Sequence, residues 1–249
     1  MDNLNILVSV ITVSYNSQQT IARTIESVLA QTYTPIEYII IDGASTDNTP
    51  EIARSYQPKF DVATGKTLHI ISEKDKGMYD ALNKGAHLAI GELVGQINAD
   101  DYYEPDAVEK MVQHYNQDKF DCAWGNILIH KPSGNMLKRA RIGKWWNTAG
   151  FCHPAMFTRR RILLQHPYPC RNICDDWDFI TCLYTLGAKL HVYNDLIAHY
   201  NLGGIGSKRN WAQVKKRIGM KYGVYRKYGL SRWHLPECIA IEVAKYLLG

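Results

Sequence analysis

The feature that most constrains the fold of this chain is the alternation of short apolar runs with helical patterns in its N-terminal part. Each run has the length of a strand and is uninterrupted, as expected for strands buried on both faces of a sheet. Between the first two runs, Ile21, Ile25 and Val28 recur at the spacing of one helix face. The alternation predicts an α/β fold with a mostly parallel central sheet flanked by helices. The apolar runs are ILVSVITVSY (6–15), IEYIIID (36–42), TLHIIS (67–72) and ELVGQIN (92–98).

Each predicted strand is followed by a short polar segment that is rich in Asp or Asn. Ligands of parallel α/β sheets bind beyond the carboxyl ends of the strands, so these segments are expected to line one pocket. The pocket would hold a surplus of negative charge, which a bound divalent cation would relieve. No glycine-rich phosphate loop or dinucleotide fingerprint follows the first strand. The segments are SYN (14–16), DGASTDNT (42–49), SEKDKGMYDALNKG (72–85) and NADD (98–101).

Two of these segments allow both a structural and a functional interpretation. Asp42 either opens a turn before a helix cap or accepts hydrogen bonds from a nucleobase. In an extended NADD segment, Asn98 and Asp100 project to one side and Asp101 to the other. One carboxylate can then face a metal while its neighbour faces a ribose or structural amides. The alternative is an Asp-rich turn in which Asp101 caps the next helix.

The second half of the chain adds an acidic cluster, CDDWDF (174–179), at the start of a predicted helix. Its acids either stabilise the helix N-terminus or supply a general base for an acceptor hydroxyl. CDDWDF lies far from NADD in the sequence, as expected for two separate sites that the fold brings into one cleft. His153 and His199 each allow a role as a structural hydrogen bonder or as a ligand. Cys170 and Cys174 are only weak evidence of a metal site, and all six cysteines are expected as free thiols.

Basic charge is concentrated at the C-terminus. The segment from residue 207 has ten Lys and Arg against two acids, a net +8, whereas residues 1–206 carry −3. The +5 charge of the whole chain is therefore no argument for nucleic acid binding. There is no spanning run and no signal-peptide pattern, which predicts the cytoplasm.

Taken in order, these motifs resemble those of family 2 glycosyltransferases with the Rossmann-like GT-A fold, over roughly residues 6–206. The blocks that carry the resemblance are VSVITVSYNSQQTIARTIESVLAQTY, IIIDGASTDNT, SEKDKGMYDALNKG, GELVGQINADDYYEPDAV and CDDWDF. The third block, with HYNLGG downstream, is similar to bacterial enzymes of capsule, colanic acid and O-antigen assembly. The resemblance implies a glycosyltransferase domain over 1–206, with a nucleotide-sugar half of about 1–101 and an acceptor half of about 102–206. Residues 207–249 are predicted to form a basic amphipathic helical tail.

The resemblance also implies an activity. It predicts an inverting, metal-dependent hexosyl transfer from a nucleotide sugar, with a UDP-sugar as the expected donor. The acceptor is expected to be a hydroxyl of a glycan, polyprenyl-linked in surface polysaccharide synthesis. The cofactor would be Mn2+ or Mg2+, which would neutralise the departing diphosphate.

Roles follow residue by residue from the same resemblance. Thr12, Ser14 and Asn16 would border the nucleotide, and Asp42 would face the base. Asp75, Gly77, Asp80 and Asn83 would line the donor side, with Asp80 in direct contact. Asn98, Asp100 and Asp101 stand at the DxD motif; Asp100 or Asp101 would bind the metal, with His199 as a further candidate. Asp176 would be the catalytic base and Asp175 its neighbour.

The chain departs from the family pattern at two of these positions. The family more often has Asp where Asn98 stands and Glu where Asp175 stands. Asn98 supplies no negative charge, so metal binding rests on the two aspartates after it. The base assignment to Asp176 is little affected.

Two rival functions and two roles for the tail stay open. A sugar nucleotidyltransferase would want a Gly-rich basic loop where SYNSQQT stands, and a non-catalytic nucleotide-sugar binding module would not need both acidic clusters. In the tail, Trp211, Val214, Ile218, Tyr222 and Tyr225 form one helical stripe. The stripe would lie at the inner face of the cell membrane, with Lys215, Lys216, Arg217, Lys221 and Arg226 toward anionic headgroups. Alternatively, the helix packs on the catalytic domain with a solvated basic face.

Overall fold

The computed structural model describes residues 5–202 and 210–248, apart from the side chain of residue 248, and a mixed β-sheet forms its centre. Within that part of the chain the strand order is β3-β2-β1-β4-β8-β6-β9-β5, with β7 paired to β6. The glycine-rich segment GGIGS (203–207) and the predicted 206/207 boundary lie outside the described residues. The strands are β1 (Val8–Ser14), β2 (Ile36–Asp42), β3 (Lys66–Ser72), β4 (Leu93–Asn98), β5 (Tyr102–Tyr103), β6 (Cys122–His130), β7 (Met136–Lys138), β8 (Met156–Arg159) and β9 (Leu190–Asn201).

Helices flank the sheet as predicted, and short 3₁₀ turns occur at Thr148–Gly150 and His153–Ala155. Two short helices, separated by Tyr56, lie between the second and third strands, and each has a proline in its first turn. The helices are α1 (Ile21–Leu29), α2 (Thr49–Ser55), α3 (Gln57–Asp61), α4 (Met78–Leu88), α5 (Ala107–Asp118), α6 (Arg160–Gln165), α7 (Asp175–Thr185), α8 (Trp211–Lys227) and α9 (His234–Leu248).

The first four strands are parallel and carry the predicted rim. β1 lies between β2 and β4, and β2 pairs with β3. Every residue of β1 and β2 is buried, because helices cover both faces of this half of the sheet. The register places Ser14, Asp42 and Ser72 side by side at the carboxyl ends. The polar segments after the strands therefore meet at one edge.

The second half of the sheet is mixed. β8 runs antiparallel to both β4 and β6, β7 forms a hairpin with β6, and β9 is parallel to β6. β5, directly after NADD, pairs antiparallel with β9. This pairing brings the end of β9 to the carboxyl end of β4, so residues from both halves of the chain meet there.

Close packing fixes α4 against the rim. A β-carbon on Gly85 would lie 2.6 Å from the Cγ2 atom of Ile11 in β1, so only glycine permits this approach. Helix α4, which carries Asp80 and Asn83, is therefore held directly on the strand that ends at Ser14.

The tail forms two helices instead of one. α8 ends in a Schellman motif, in which Gly229 has a φ of +70° and the N–H of Leu230 donates to the carbonyl of Tyr225 at 2.9 Å. Val214 and Tyr225, members of the predicted membrane stripe, are buried. The ring of Tyr225 packs edge-on against Trp177 of α7, with centroids 5.7 Å apart. In the described ranges, no helix is long and apolar enough to cross a bilayer.

Candidate active site

The carboxylate of Asp42 lies at the end of β2 and is surrounded by donors. Ser14 and Ser72 donate hydroxyl hydrogen bonds to it, with oxygen–oxygen distances of 3.0 and 2.7 Å. Ser45 adds its backbone N–H at 2.9 Å and its hydroxyl at 2.5 Å. Because Asp42 is 1% exposed, a nucleobase would have to replace or share one of these donors. Its place on the rim is as predicted, and its contact with a base stays a prediction.

The loop after β3 folds over the loop after β2. Asp75 accepts the backbone N–H of Gly77 at 2.8 Å. Its Oδ2 atom would lie 2.6 Å from a β-carbon on Gly43, so glycine is needed where the two loops touch. Gly77 has a φ of +114° and is the N-cap of α4. Asp75 and Gly77 therefore border the same rim as Asp42.

Asp80 and Asn83 project from α4 toward different partners. Asp80, in the first turn, accepts the backbone N–H of Lys76 at 3.0 Å. Asn83 holds the backbone of Tyr168 from both sides, donating to its carbonyl at 2.8 Å and accepting from its N–H at 2.9 Å. In this arrangement Asn83 joins α4 to the second half of the chain. Its contact with a donor stays a prediction, as does that of Asp80.

The other predicted nucleotide neighbours differ in exposure. Thr12 is fully buried and accepts a hydrogen bond from the phenol of Tyr38 at 3.0 Å, so it lies behind the rim. Asn16 is exposed, has a φ of +48° and accepts the backbone N–H of Thr46 at 2.9 Å. Of these two residues, only Asn16 offers a surface to a ligand.

The turn that carries Asp100 and Asp101 is held by α1 on one side and β9 on the other. Thr24 donates to the carbonyl of Asp101 at 2.6 Å, and Arg23 donates to the carbonyl of Asp100 at 3.4 Å. The backbone N–H of Asn201 donates to Asp101 Oδ1 at 3.0 Å, and its side-chain amide donates to the carbonyl of Asp100. Arg23 is the positive neighbour of the adjacent acids.

Burial of the two carboxylates of this turn outweighs the nearby charge of Arg23. Asp101 is fully buried, and its Oδ2 atom has no hydrogen-bond partner within the described structure. Burial, and then the charge of Asp100, raises the pKa of Asp101 well above its usual range, although the Asn98 amide opposes the shift. Burial also raises the pKa of Asp100, against the charge of Arg23. In residues 5–202 and 210–248, no three His, Cys, Asp or Glu side chains converge on a metal position.

His199 is occupied at both ring nitrogens. Its Nε2 atom bonds to the carboxylate of Glu104, and its Nδ1 atom lies 2.9 Å from Nε2 of His130. The ring also stacks on Tyr102, with centroids 4.3 Å apart. A metal ion would have to displace one of these partners. The geometry therefore favours a role for His199 in supporting β5 and the turn before it.

The two acids at the start of α7 lie in different surroundings. Asp175 is fully buried and accepts the backbone N–H groups of Arg171 and Asn172 at 2.5 and 3.1 Å, which closes the loop before the helix. Asp176 is only half-buried and accepts the N–H of Trp177 at 2.7 Å. Asp176 is therefore the more accessible carboxylate for a substrate.

Tyr200 connects the two acidic clusters. Burial, followed by the charges of Asp101, Asp100 and Asp176, raises the pKa of its phenol to about 12. The start of α7 is also tied to α4, because the phenol of Tyr79 donates to the carbonyl of Ile173, just before α7, at 3.1 Å. The strand-end rim and the start of α7, far apart in the sequence, therefore lie close together in the fold.

Comparison with known proteins supplies the family. The model of "Glycosyl transferase family 2" matches residues 9–170, more than half of the chain. The chain belongs to this family. Glycosyltransferase activity and the GT-A fold follow, with the antiparallel strands of the second half as part of that fold.

Relatives and solved structures agree with the assignment. A Mycobacterium bovis PGL/p-HBAD biosynthesis glycosyltransferase is 28% identical over 218 residues, covering 85% of this chain and 84% of its own. An Escherichia coli chondroitin synthase is 32% identical over 62% of this chain and 23% of its own length.

Two solved structures share the fold at low identity. A mannosyltransferase from Pyrobaculum calidifontis in complex with GDP-Man and Mn2+ matches with a TM-score of 0.68 at 17% identity, over 96% of this chain and 74% of its own. S. aureus TarS in complex with UDP-GlcNAc matches with a TM-score of 0.64 at 18% identity, over 96% and 72%.

The surroundings of Asp176 in this glycosyltransferase include residues that the sequence did not single out. Burial, followed by the charge of Asp176, raises the pKa of Tyr79 and of Tyr168. Burial lowers the pKa of Lys138 and of His153, with Asp176 among the opposing charges. Tyr79 lies inside the SEKDKGMYD segment, and His153 was identified only as ambiguous. The local sequence does not identify Lys138 or Tyr168 as neighbours of Asp176. They come near it only through contacts between distant parts of the chain.

Proposed function

We propose that this family 2 glycosyltransferase transfers a hexose from a nucleoside diphosphate to a hydroxyl of a glycan acceptor, with inversion at the anomeric carbon. The observation that carries the proposal is the link between the strand-end rim and the start of α7, where Tyr79 of α4 donates to the carbonyl of Ile173 at 3.1 Å and Asn83 holds the backbone of Tyr168. Two groups of acids match two requirements of the reaction, a cation site for the leaving diphosphate and a general base for the acceptor proton.

The donor would lie along the carboxyl ends of β1 to β4. Asp42 and Asn16 would face the nucleoside, and Asp75 and Asp80 would border the diphosphate and sugar. The closed loop contact at Gly43 supports this placement, because it fixes Asp75 beside Asp42. We propose UDP as the nucleotide.

The residues of the NADD turn fit a divalent cation. Among the described residues the buried Oδ2 of Asp101 has no hydrogen-bond partner, and Asp100 is a second carboxylate beside it. Hard oxygen donors of this kind bind Mn2+ or Mg2+. These residues would hold the ion, which would supply positive charge to stabilise the leaving diphosphate.

Asp176 would act as the general base. Its carboxylate would accept the proton of the acceptor hydroxyl while that oxygen bonds to the anomeric carbon opposite the departing diphosphate. Asp175 would hold the loop that orients it, through its two backbone hydrogen bonds.

The acceptor and location are proposed from the relatives. The relatives include a mycobacterial glycosyltransferase of PGL/p-HBAD biosynthesis and a bacterial chondroitin synthase. We propose a surface-glycan acceptor, polyprenyl-linked, at the cytoplasmic face of the membrane, which the C-terminal tail would contact. A nucleotidyltransferase or a non-catalytic binding module is disfavoured, because the matching family model is that of glycosyltransferases.

The test compares two variants with the wild-type chain. Asp176→Asn is expected to lower the rate of sugar transfer by roughly 10² to 10⁴-fold, because the base is lost. The affinity for the donor, measured by calorimetry with UDP-sugars and Mn2+, should stay within about twofold. The exposed Asp61→Asn is the matched control and should transfer sugar at the wild-type rate. Loss of donor binding in Asp176→Asn would instead assign this residue to the nucleotide site.

A further inference from the structure

Helix α9 carries apolar side chains on its outside and charge on its inside. Glu242 and Cys238 face inward, at 1% and 3% exposure. Trp233, directly before the helix, is 77% exposed, Ile239 is 44% exposed and Leu247 is 67% exposed. We define the outer face of α9 as Trp233, Pro236, Ile239, Ala240, Ala244 and Leu247, all exposed and none charged.

The inverted pattern has a structural cause. Glu242 accepts hydrogen bonds from Arg217 and Lys221 of α8 at 2.7 and 2.5 Å, so the seam between the helices is ionic. A helix in water normally buries its apolar face and exposes its charges. Here the ionic seam takes the inner side, and the apolar residues are turned outward. An exposed apolar face of this kind marks an interaction surface.

Charge decides between the possible occupants of the outer face. Residues 210–248 contain eight Lys and Arg against two acids. The exposed Arg232 directly precedes Trp233, and Lys215 and Lys216 are exposed on α8. A second copy of the chain would bring two positive surfaces together, which repel each other. An anionic lipid surface offers both an apolar layer and negative headgroups.

Length decides how the helix would meet the lipid. α9 spans 15 residues, whereas crossing a bilayer takes about 20. A helix of this length with one apolar face lies in the plane of the interface. Trp233 has the amphipathic ring that prefers the headgroup level.

We propose that the outer face of α9 rests in the interface of an anionic bilayer. The inference deepens the membrane contact of the proposed function and rests on it. It assigns that contact to α9 instead of the α8 stripe, whose Val214 and Tyr225 are buried. Because α8 packs on α7, and α7 begins at Asp175, the bilayer would approach the acceptor side of the cleft.

The test is flotation of the full chain with vesicles. One set contains phosphatidylcholine with about 30% phosphatidylglycerol, and the other contains phosphatidylcholine alone. Trp233→Gln, Ile239→Gln and Leu247→Gln are combined in one variant. Val62→Gln and Ile90→Gln, at positions 83% and 70% exposed away from the tail, form the matched control. Circular dichroism checks folding, and Trp233→Gln alone replaces the triple variant if that variant does not fold.

The wild-type chain and the control are expected to float with the anionic vesicles, and the triple variant to bind at least about tenfold more weakly. Failure of the wild type to float, or equal flotation of the triple variant, would overturn the proposal. If the wild-type chain is a dimer in solution, the triple variant is a monomer and neither binds vesicles, the face would be assigned to a second copy of the chain. In solution without vesicles, the triple variant should turn over the donor at the wild-type rate. A wild-type chain that turns over no donor would contradict the transferase proposal, whatever the result of flotation.

Discussion

At the level of single residues, the acids of the rim divide by how many hydrogen bonds each already accepts. Asp42 receives four from serine groups, whereas Oδ2 of Asp101 receives none within the described structure. A carboxylate whose oxygens already accept hydrogen bonds holds its donor groups in place. A buried carboxylate oxygen that accepts none needs a hydrogen-bond donor or a cation. The difference separates the proposed nucleoside side of the cleft from the proposed cation side.

We expect Gly43→Ala to weaken donor binding without unfolding the chain. The new β-carbon would lie 2.6 Å from Asp75 Oδ2, so Asp75 must move off the rim. The dissociation constant for UDP, measured by calorimetry, should rise about 5- to 30-fold, a cost of about 1–2 kcal/mol. Gly223→Ala in α8, where no atom lies within 4 Å of the added carbon, should leave it unchanged. If Gly43→Ala and Gly223→Ala bound UDP with equal affinity, Asp75 would not be part of the donor site.

A second pair of variants separates the two aspartates of the NADD turn. Asp101→Ala should lower the free energy of unfolding by about 1–3 kcal/mol, because it strands the buried N–H of Asn201. Asp100→Ala, whose side chain is half-buried, should cost less than about 0.5 kcal/mol. Both should lose the thermal stabilisation that Mn2+ with UDP gives the wild type. If Asp100→Ala kept that stabilisation, Asp101 alone would be the ligand.

Sequence reasoning located these residues but not their supports. Asp42, Asp75, Asp100 and Asp101 follow strands of a parallel sheet, and parallel strands end at one edge, so their grouping was predictable. The supports of the turn come from Thr24 and Asn201, which only the folded chain path brings there. His199 illustrates the limit, since its two hydrogen-bond partners cannot be read from its neighbours in sequence.

At the level of elements, the four buried parallel strands follow from their apolar runs, and the tail shows where periodicity misleads. The aromatic stripe of α8 is amphipathic, but the same pattern suits packing on a protein or on a lipid. Tyr225 packs on Trp177, and Asp178 of α7 accepts hydrogen bonds from Lys227 and Tyr228 at 2.7 Å each. The stripe thus serves mainly as a seam with the catalytic domain.

The α8–α9 seam predicts a pH-dependent stability. Burial would raise the pKa of Glu242, but Lys221, Lys245 and Arg217 outweigh it and lower that pKa from 4.5 to about 2. The stabilisation is therefore complete above the usual pKa and is lost as the pH falls from about 4.5 toward 2. Glu242→Gln should cost about 3 kcal/mol at pH 7, measured by urea unfolding.

The difference between Glu242→Gln and the wild type should shrink steadily between about pH 5 and pH 3. The control is Glu51→Gln, whose carboxylate pairs with Arg54 on the surface at 3.5 Å. It should change the free energy of unfolding by less than about 0.5 kcal/mol at any of these pH values. A cost for Glu242→Gln that did not vary with pH would mean that its charge is not what stabilises the seam.

At the level of the whole molecule, the cleft is a joint product of both halves of the chain and of the tail. The first half supplies the rim, β9 brings Asn201 and Tyr200 to it, and α7 supplies Asp176. Helix α8 packs on α7, with Tyr225 against Trp177 and with Lys227 and Tyr228 on Asp178. These contacts support the helix whose first turn carries Asp175 and Asp176.

Deleting residues 207–249 should therefore destabilise the catalytic domain itself. The deletion uncovers Trp177 and removes Lys227 and Tyr228 from the buried Asp178, leaving it only Arg171 among its described side-chain partners. Loss of a buried aromatic contact and of two hydrogen bonds to a buried charge costs about 4 kcal/mol or more, which lowers the melting temperature by roughly 8–16 °C. Calorimetry measures it, with Trp233→Gln as a control that removes an exposed aromatic ring and should melt like the wild type. A truncated chain with the wild-type melting temperature would show that the tail is an independent appendage, and α7 would then owe its position to the sheet alone.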